Sequence, residues 1–322
     1  MPPGVPRPVP ERRHTMQSAV SRRSAVTMLT GLAVLPLAGC GTEDAKDVPR
    51  KSSGSPSASA AAEKARRAFV RLERKFDARL GVYALDTGSR RSIAHRADER
   101  FAYCSTCKAF LAGTVLKRNS LREMERRVRV RPQDLEGYSP IARKHVGSTM
   151  SLRELCDAAV RYSDNAAANL LFRELGGPKG LQDALRDIGD RVTRADRYEV
   201  ELSEGTPGDS RDTSTPRALV TDLRAFVLGD VLPGRKREVL TDWLKRNTTG
   251  DKLIRAGAPR GWEVGDKTGN GGYGTRNDIA VLWPPKGDPI TLAIMSRRDT
   301  RDAEHDDALI AEAAEVAFGA LQ

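Results

Sequence analysis

Two apolar runs near the C-terminus decide the fold. They are Ile279-Ala280-Val281-Leu282-Trp283 and Ile290-Thr291-Leu292-Ala293-Ile294-Met295-Ser296, separated by Pro284-Pro285-Lys286-Gly287-Asp288-Pro289. Apolar, partly β-branched runs that flank a Pro- and Gly-rich break read as two strands with a turn between them. An Ala- and Leu-rich closing helix follows from Asp306 to Leu321. The matching pieces lie at the other end of the chain. Leu80 to Leu85 reads as a strand, Asp86-Thr87-Gly88 as a turn, and a further strand sits near Ile93. Ahead of them Ala65, Ala68, Phe69, Leu72 and Phe76 recur at helical spacing, which predicts an amphipathic helix over residues 63–78. From about 97 to 246 the pattern is helical, with no convincing strand pair. Strands at both ends must pair with something, and the economical solution is one antiparallel sheet built from both termini with the terminal helices packed on it. The class is therefore α+β in two lobes. The α/β lobe takes about 63–96 and 247–322, and an all-α lobe takes about 97–246. A cleft between such lobes is the expected place for a site.

Composition bounds the rest. The chain has 322 residues, 54 Lys and Arg against 43 Asp and Glu, a formal charge of +11, and four cysteines. That excludes a disulfide-dense mini-domain and a disordered chain. A basic balance invites nucleic acid, but no nucleic-acid module signature appears, and surplus charge is most often a solvated face. Residues 1–39 read as an export signal rather than as fold. Arg22-Arg23 precede an uncharged stretch of 16 residues, Ser24 to Gly39, too short for an ordinary membrane span. Leu37-Ala38-Gly39-Cys40 then reads as a lipoprotein processing site that leaves Cys40 lipidated. Residues 40–62, rich in Ser, Gly and Ala, read as a flexible linker, so the folded part is expected to begin near Glu63.

Three short motifs carry chemistry. Ser105-Thr106-Cys107-Lys108 is S-x-x-K, and on a helix residues three apart share a face, so a lysine can attend a serine that needs a base. Ser163-Asp164-Asn165 ends a buried helical pattern and alone reads as a cap or turn. Lys267-Thr268-Gly269 sits just before a strand and alone reads as a hairpin corner. Each is weak in isolation. Gly269-x-Gly271-x-x-Gly274 fits a dinucleotide fingerprint, but Thr275 to Trp283 reads as a strand where that motif needs a helix. The four histidines, at 14, 95, 145 and 305, have no metal-ligand spacing.

In this order the three motifs are the set of the class A serine β-lactamases and penicillin-binding proteins, and the chain resembles the former over roughly residues 63–322. Asp196-Arg197-Tyr198-Glu199, with Pro207-Gly208-Asp209 and Arg211-Asp212-Thr213, is similar to that family's omega loop. The resemblance implies hydrolysis of the β-lactam amide through a Ser105 acyl-enzyme, cleared by a Glu199-activated water, with β-lactam antibiotics as partners. It implies Lys108 or Glu199 as the acylation base and Ser163 as the proton relay to nitrogen. Lys267, Thr268, Gly269, Asn270 and Arg276 bind substrate with Tyr138 and Asn165, and the N–H groups of Ser105 and Asn270 form the oxyanion hole. Arg197 and Asp212 close the loop. No metal, no cofactor and no nucleic acid are implied, the membrane enters only through Cys40, and the protein is expected as an exported monomer, held at the outer face of the membrane or released. Two relatives in chemistry are the alternatives. A D-alanyl-D-alanine peptidase would not depend on Glu199, and a β-lactam sensor domain would acylate and stop.

The chain departs from the family pattern in places. Ser203 stands where an Asn usually helps hold the water, and Val200 follows Glu199 where Pro is common, which leaves open whether the usual cis peptide is kept. Cys156 and Cys104 match positions that pair in some members, yet their partners' counterparts here are Ala112 and Gly271. A Cys107–Cys156 bridge stays open beside buried free thiols.

Overall fold

The computed structural model describes residues 56–322. The export signal, Cys40 and the linker as far as residue 55 lie outside the described residues. The first helix, α1, runs Pro56–Phe76. It starts seven residues before the expected boundary, so residues 56–62 are helix and not linker. Pro suits the first helical turn and alanine is the best helix former, so the Ser/Ala run extends a helix whose apolar face is supplied further along. Strands β1 (Arg79–Asp86) and β2 (Ser92–His95) follow.

The middle of the chain holds β3 (Phe101–Ala102), α2 (Cys107–Arg118), β4 (Arg127–Arg129), β5 (Thr149–Ser151), α3 (Leu152–Arg161), α4 (Asn165–Glu174), α5 (Pro178–Asp187), β6 (Thr213–Ser214), α6 (Pro216–Val227) and α7 (Gly234–Lys245). It is mostly helical, but β3 pairs with β6 and β4 with β5. Ladders of two or three residues are too short to show a period-2 pattern, which is why the sequence reading finds none. A one-turn helix α8 (Ile254–Gly257) leads to β7 (Glu263–Gly271), β8 (Thr275–Trp283) and β9 (Ile290–Arg297), and α9 (Asp307–Leu321) closes the chain.

The five long strands form one antiparallel sheet in the order β2-β1-β9-β8-β7, so the C-terminal hairpin meets the N-terminal strand, with Tyr83 opposite Ala293. Both faces are covered, which explains the continuous apolar runs. On one face Leu80, Val82, Ala280, Leu282, Leu292 and Ile294 join Phe69 and Phe76 of α1 and Ile310 and Phe318 of α9. The alternate residues Tyr83, Ile279, Val281, Ala293 and Met295 belong to the second core with α2, α3, α4 and α6. The two sets follow the period-2 alternation of a pleated strand. Lys267-Thr268-Gly269 lies inside β7, not at a corner before it; the reversal is Gly272 to Gly274. β7 is an edge strand, paired on one side only with β8, so its other edge faces the turn that carries Ser105.

Candidate active site

Ser105 sits in a 3₁₀ turn, Cys104–Thr106, that leads directly into α2. Every α2 residue from Cys107 to Leu116 is buried, so the turn is fixed to the centre of the molecule. Asn277 of β8 pins the turn from below, donating through Nδ2 to the carbonyls of Ala102 (2.8 Å) and Tyr103 (3.2 Å). β7 closes on the same turn. A methyl group built on Gly269 would lie 2.9 Å from the Tyr103 carbonyl oxygen, so the glycine of K-T-G permits the approach.

The Ser105 hydroxyl donates to Glu199 Oε1 at 3.1 Å, and Lys108 Nζ lies 2.9 Å from that same oxygen. Lys108 also donates to the Ser163 carbonyl (2.9 Å) and to Asn165 Oδ1 (2.6 Å). An ammonium has three N–H groups, and here all three are used. The helical-face argument thus brings Lys108 beside the nucleophile, but the described contacts couple the two through Glu199.

Ser163 has φ +55 and stands just before α4. Asp164 caps that helix through Ala167 N (2.9 Å) and accepts from Ile141 N and Ala142 N, so it fixes the loop bearing Tyr138 to the helix bearing Asn165. Lys267 Nζ is 3.1 Å from Ser163 Oγ and donates to the Thr268 carbonyl at 2.7 Å. Burial first, and then the neighbouring Lys108 charge, pull its ammonium down to about 7, against Asp266 and Asp278, which pull it up. Arg276 is held by Asp307, Nε to Oδ1 at 2.7 Å.

Glu199 is clamped by its own backbone. Asn169 Nδ2 donates to the Glu199 carbonyl (2.8 Å), and the Glu199 N–H donates to Asn169 Oδ1 (2.9 Å). Ser203 Oγ donates to the free oxygen, Oε2, at 3.3 Å. The Glu199–Val200 peptide is cis, with Val200 in place of proline. Arg197 meets the fully buried Asp212, Nε to Oδ2 at 2.6 Å, and also pairs with Glu204.

One cleft of about 660 Å³ is lined by Ser105, Tyr138, Ser163, Asn165, Glu199, Thr268, Asn270 and Arg276. Lys108, Lys267 and Gly269 lie buried directly beneath that lining. The fold therefore gathers every sequence-predicted site residue except Cys40, which lies outside the described residues, while Arg197 and Asp212 stand behind the loop. A depression of similar size, about 680 Å³, lies at Asp187, Arg224 and Asp230 and is lined by none of the motif residues. Cys104, Cys107 and Cys156 are buried free thiols, so Cys107 and Cys156 do not pair. Burial pushes Cys104 up to about 12 and raises Cys107 and Cys156 as well, which leaves all three unreactive. Among the described residues no cluster of His, Cys, Asp or Glu could hold a metal.

Sequence reading missed Asn169, Asn277, Asp307 and Thr249, whose hydroxyl meets that of Thr268 at 2.6 Å. Only Asn169 left a signal: it lies one turn after Asn165 on the same face of α4.

Comparison with known proteins gives the same picture. The family model described as the β-lactamase enzyme family matches residues 61–321. A β-lactamase of Bacillus licheniformis is 58% identical over 253 residues, 79% of this chain and 82% of that protein. β-Lactamase 1 of Streptomyces cacaoi is 46% identical over 325 residues, 95% of this chain and all of its own length. The crystal structure of a class A β-lactamase from Clostridium kluyveri is 50% identical and superposes with a TM-score of 0.79, covering 80% of this chain and 99% of that one.

Proposed function

The chain belongs to the β-lactamase enzyme family, as a class A member, and hydrolyses β-lactam antibiotics, and we propose that it does so through an ester formed on Ser105. The observation that carries the residue assignment is the shared oxygen: Glu199 Oε1 accepts from Ser105 Oγ at 3.1 Å and lies 2.9 Å from Lys108 Nζ. As Ser105 Oγ attacks the lactam carbonyl, its proton passes along the existing hydrogen bond to Glu199. Lys108, a donor at all three contacts, holds the carboxylate in place. The carbonyl oxygen becomes an oxyanion at the N–H groups of Ser105 and Asn270, the second on the free edge of β7. When the C–N bond breaks, Ser163 gives its proton to the ring nitrogen, and Lys267, 3.1 Å from that hydroxyl, replaces it. The proton that Glu199 gained passes through solvent in the cleft to the Lys267 amine, which restores the carboxylate. Glu199 then deprotonates a water that attacks the ester, with Ser203 steadying Oε2, and returns that proton to Ser105 Oγ as its C–O bond breaks.

Substrate binding follows from charge. The antibiotic's carboxylate faces Thr268 and Arg276, with Lys267 behind them; Tyr138 and Asn165 hold the other end. The enzyme works as an exported monomer. Residues 1–39 direct export and Cys40 carries the lipid, a reading that rests on the paired arginines and the Leu37-Ala38-Gly39-Cys40 pattern. Replacing Cys40 by alanine releases the enzyme from the membrane fraction on this reading. For the catalytic core, purified protein turns over benzylpenicillin many times and Ser105→Ala does not. Unchanged turnover by Ser105→Ala would refute the assignment.

A further inference from the structure

We propose that Asp222 is a carboxylic acid at neutral pH, that it shares its proton with Asp190, and that this pair ties α6 to the root of the loop bearing Glu199. Both side chains are buried, Asp222 at 2% and Asp190 at 8% exposure, and they meet carboxyl to carboxyl within hydrogen-bond reach. Asp190 is already committed. Its Oδ1 accepts from Val192 N at 2.6 Å and Thr193 N at 3.1 Å, and Arg186 Nη1 stands 3.9 Å from the same oxygen. Asp222 Oδ2 has no such partner: among the described residues no N–H or O–H donates to it. Of the charged groups on α6 and on the elements around it, Asp190 and Arg186 are the ones that bear on Asp222. One cation therefore faces two buried carboxyls. A second carboxylate there would be a buried charge without compensation, and such a group takes a proton instead. Burial first, and then the Asp190 charge, push Asp222 up to about 9, against Arg186, which pulls it down. The O–H that results is the donor that two facing carboxylates lack.

The pair sits where the two ends of the Glu199 loop come together. Val192 and Thr193 lead into the loop from α5. Thr193 Oγ1 lies 2.7 Å from Ser214 Oγ, and Arg194 N donates to the Thr213 carbonyl at 3.0 Å, so the incoming and outgoing stretches are laced to each other. Asp190 fixes the incoming stretch. Asp222 stands two turns into α6, the helix that the outgoing stretch enters. While Asp222 keeps its proton, a hydrogen bond joins the two sides. When it ionises, two anions meet there and repel. The reaction uses neither carboxyl, so the pair positions the loop and takes no part in the chemistry.

The test compares Asp222→Asn with the parent. Asparagine keeps the shape and can donate an N–H to Asp190 at every pH. In the folded parent Asp222 holds a proton that the unfolded chain releases above about pH 4. Its contribution to stability therefore falls as pH rises, until it ionises within the fold near 9. In urea, the unfolding constant of the parent relative to that of Asp222→Asn is expected to rise about threefold to tenfold per pH unit between about pH 5 and 8, and to level off near 9. An Asp222 that is already ionised gives a constant ratio over that range, which overturns the proposal. Turnover of benzylpenicillin is the second arm and rests on the hydrolytic reading. The kcat of Asp222→Asn over that of the parent is expected to be near one at about pH 7 and to reach about threefold by about pH 10, as the loop root of the parent loosens. A ratio that stays at one throughout overturns the positioning role. If Asp222→Asn fails to fold, Asp222→Thr, uncharged and with a hydroxyl donor, is read in the same way. If the parent does not open benzylpenicillin, the hydrolytic reading has failed, and the unfolding arm still decides the pair.

Discussion

Ser105 and Glu199 are 94 residues apart in the chain, yet the serine hydroxyl donates to the carboxylate directly, at 3.1 Å. Glu199 is therefore in contact with the nucleophile as well as placed to act on a water. Glu199→Gln keeps the shape and removes the base. Both steps lose their base, but a strained lactam opens more readily than an unstrained ester hydrolyses, so deacylation slows more: intact mass is expected to show the protein held as its penicilloyl adduct, with turnover down by about 10²- to 10⁴-fold, the usual range for a lost general base. Full turnover in Glu199→Gln would transfer the deacylation role elsewhere.

Asn169 holds Glu199 by both backbone groups, a reciprocal pair at 2.8 and 2.9 Å. Asn169→Ala leaves a buried N–H and C=O unpaired, at a cost of about 1–3 kcal/mol. The melting temperature should drop by several degrees. Because the carboxylate loses its fixed position, deacylation should slow about tenfold, beyond what the stability loss explains. Pre-steady-state acylation and deacylation rates separate the two effects.

Much of this was legible in the sequence, and the reasons differ by element. The C-terminal strands are legible because both faces of the sheet are covered, which makes Ile290 to Met295 buried throughout and apolar apart from Thr291. The three motifs were legible because each joins residue types that the chemistry demands together. The length of α1 is not legible because the Ser/Ala composition before Glu63 fits a linker, although alanine also extends a helix that has already started. K-T-G looks like a corner because its glycine and the Gly-rich residues after it suggest a turn. The actual reason for Gly269 is the approach of Tyr103 from another part of the chain, which no local pattern encodes. Asn277 and Asp307 were invisible for the same reason, since each acts on a group distant in sequence: Asn277 on the turn before Ser105, Asp307 on Arg276.

Lys267 is fully buried and held down to about 7, whereas an ordinary lysine titrates near 10.5. Above about pH 7 the folded protein gives up this proton while the unfolded chain keeps it. The unfolded state then binds more protons, so the Lys267 contribution to stability rises with pH from about 7 to about 10.5. Urea unfolding across that range should show the stability advantage of Lys267→Met over the parent shrinking as pH increases. In kcat/KM for an anionic penicillin the same titration appears with opposite effect. Loss of the ammonium weakens carboxylate binding above about pH 7, and the activity that remains depends on Arg276. A flat kcat/KM profile from pH 6 to 9 in the parent enzyme would mean that Arg276 alone serves the carboxylate.

Asp212 divides its oxygens cleanly. Oδ1 accepts from Asp196 N (2.8 Å), Arg197 N (3.0 Å) and the Tyr103 hydroxyl (3.2 Å), and Oδ2 faces Arg197 Nε at 2.6 Å. Arg197→Ala leaves a buried carboxylate without its cation, and breaking such a pair costs about 3–5 kcal/mol. For a domain of this size that is a fall of roughly 10 °C in melting temperature. Adding Asp212→Asn should recover part of the loss, because asparagine keeps an acceptor at Oδ1 for the three bonds and removes the stranded charge. The double variant is therefore expected to melt higher than Arg197→Ala alone. Deacylation should stay slow in both, since Glu199 rides on the loop that this pair closes. If the double variant melts lower than Arg197→Ala, the cost comes from lost packing of the arginine stem rather than from the buried charge.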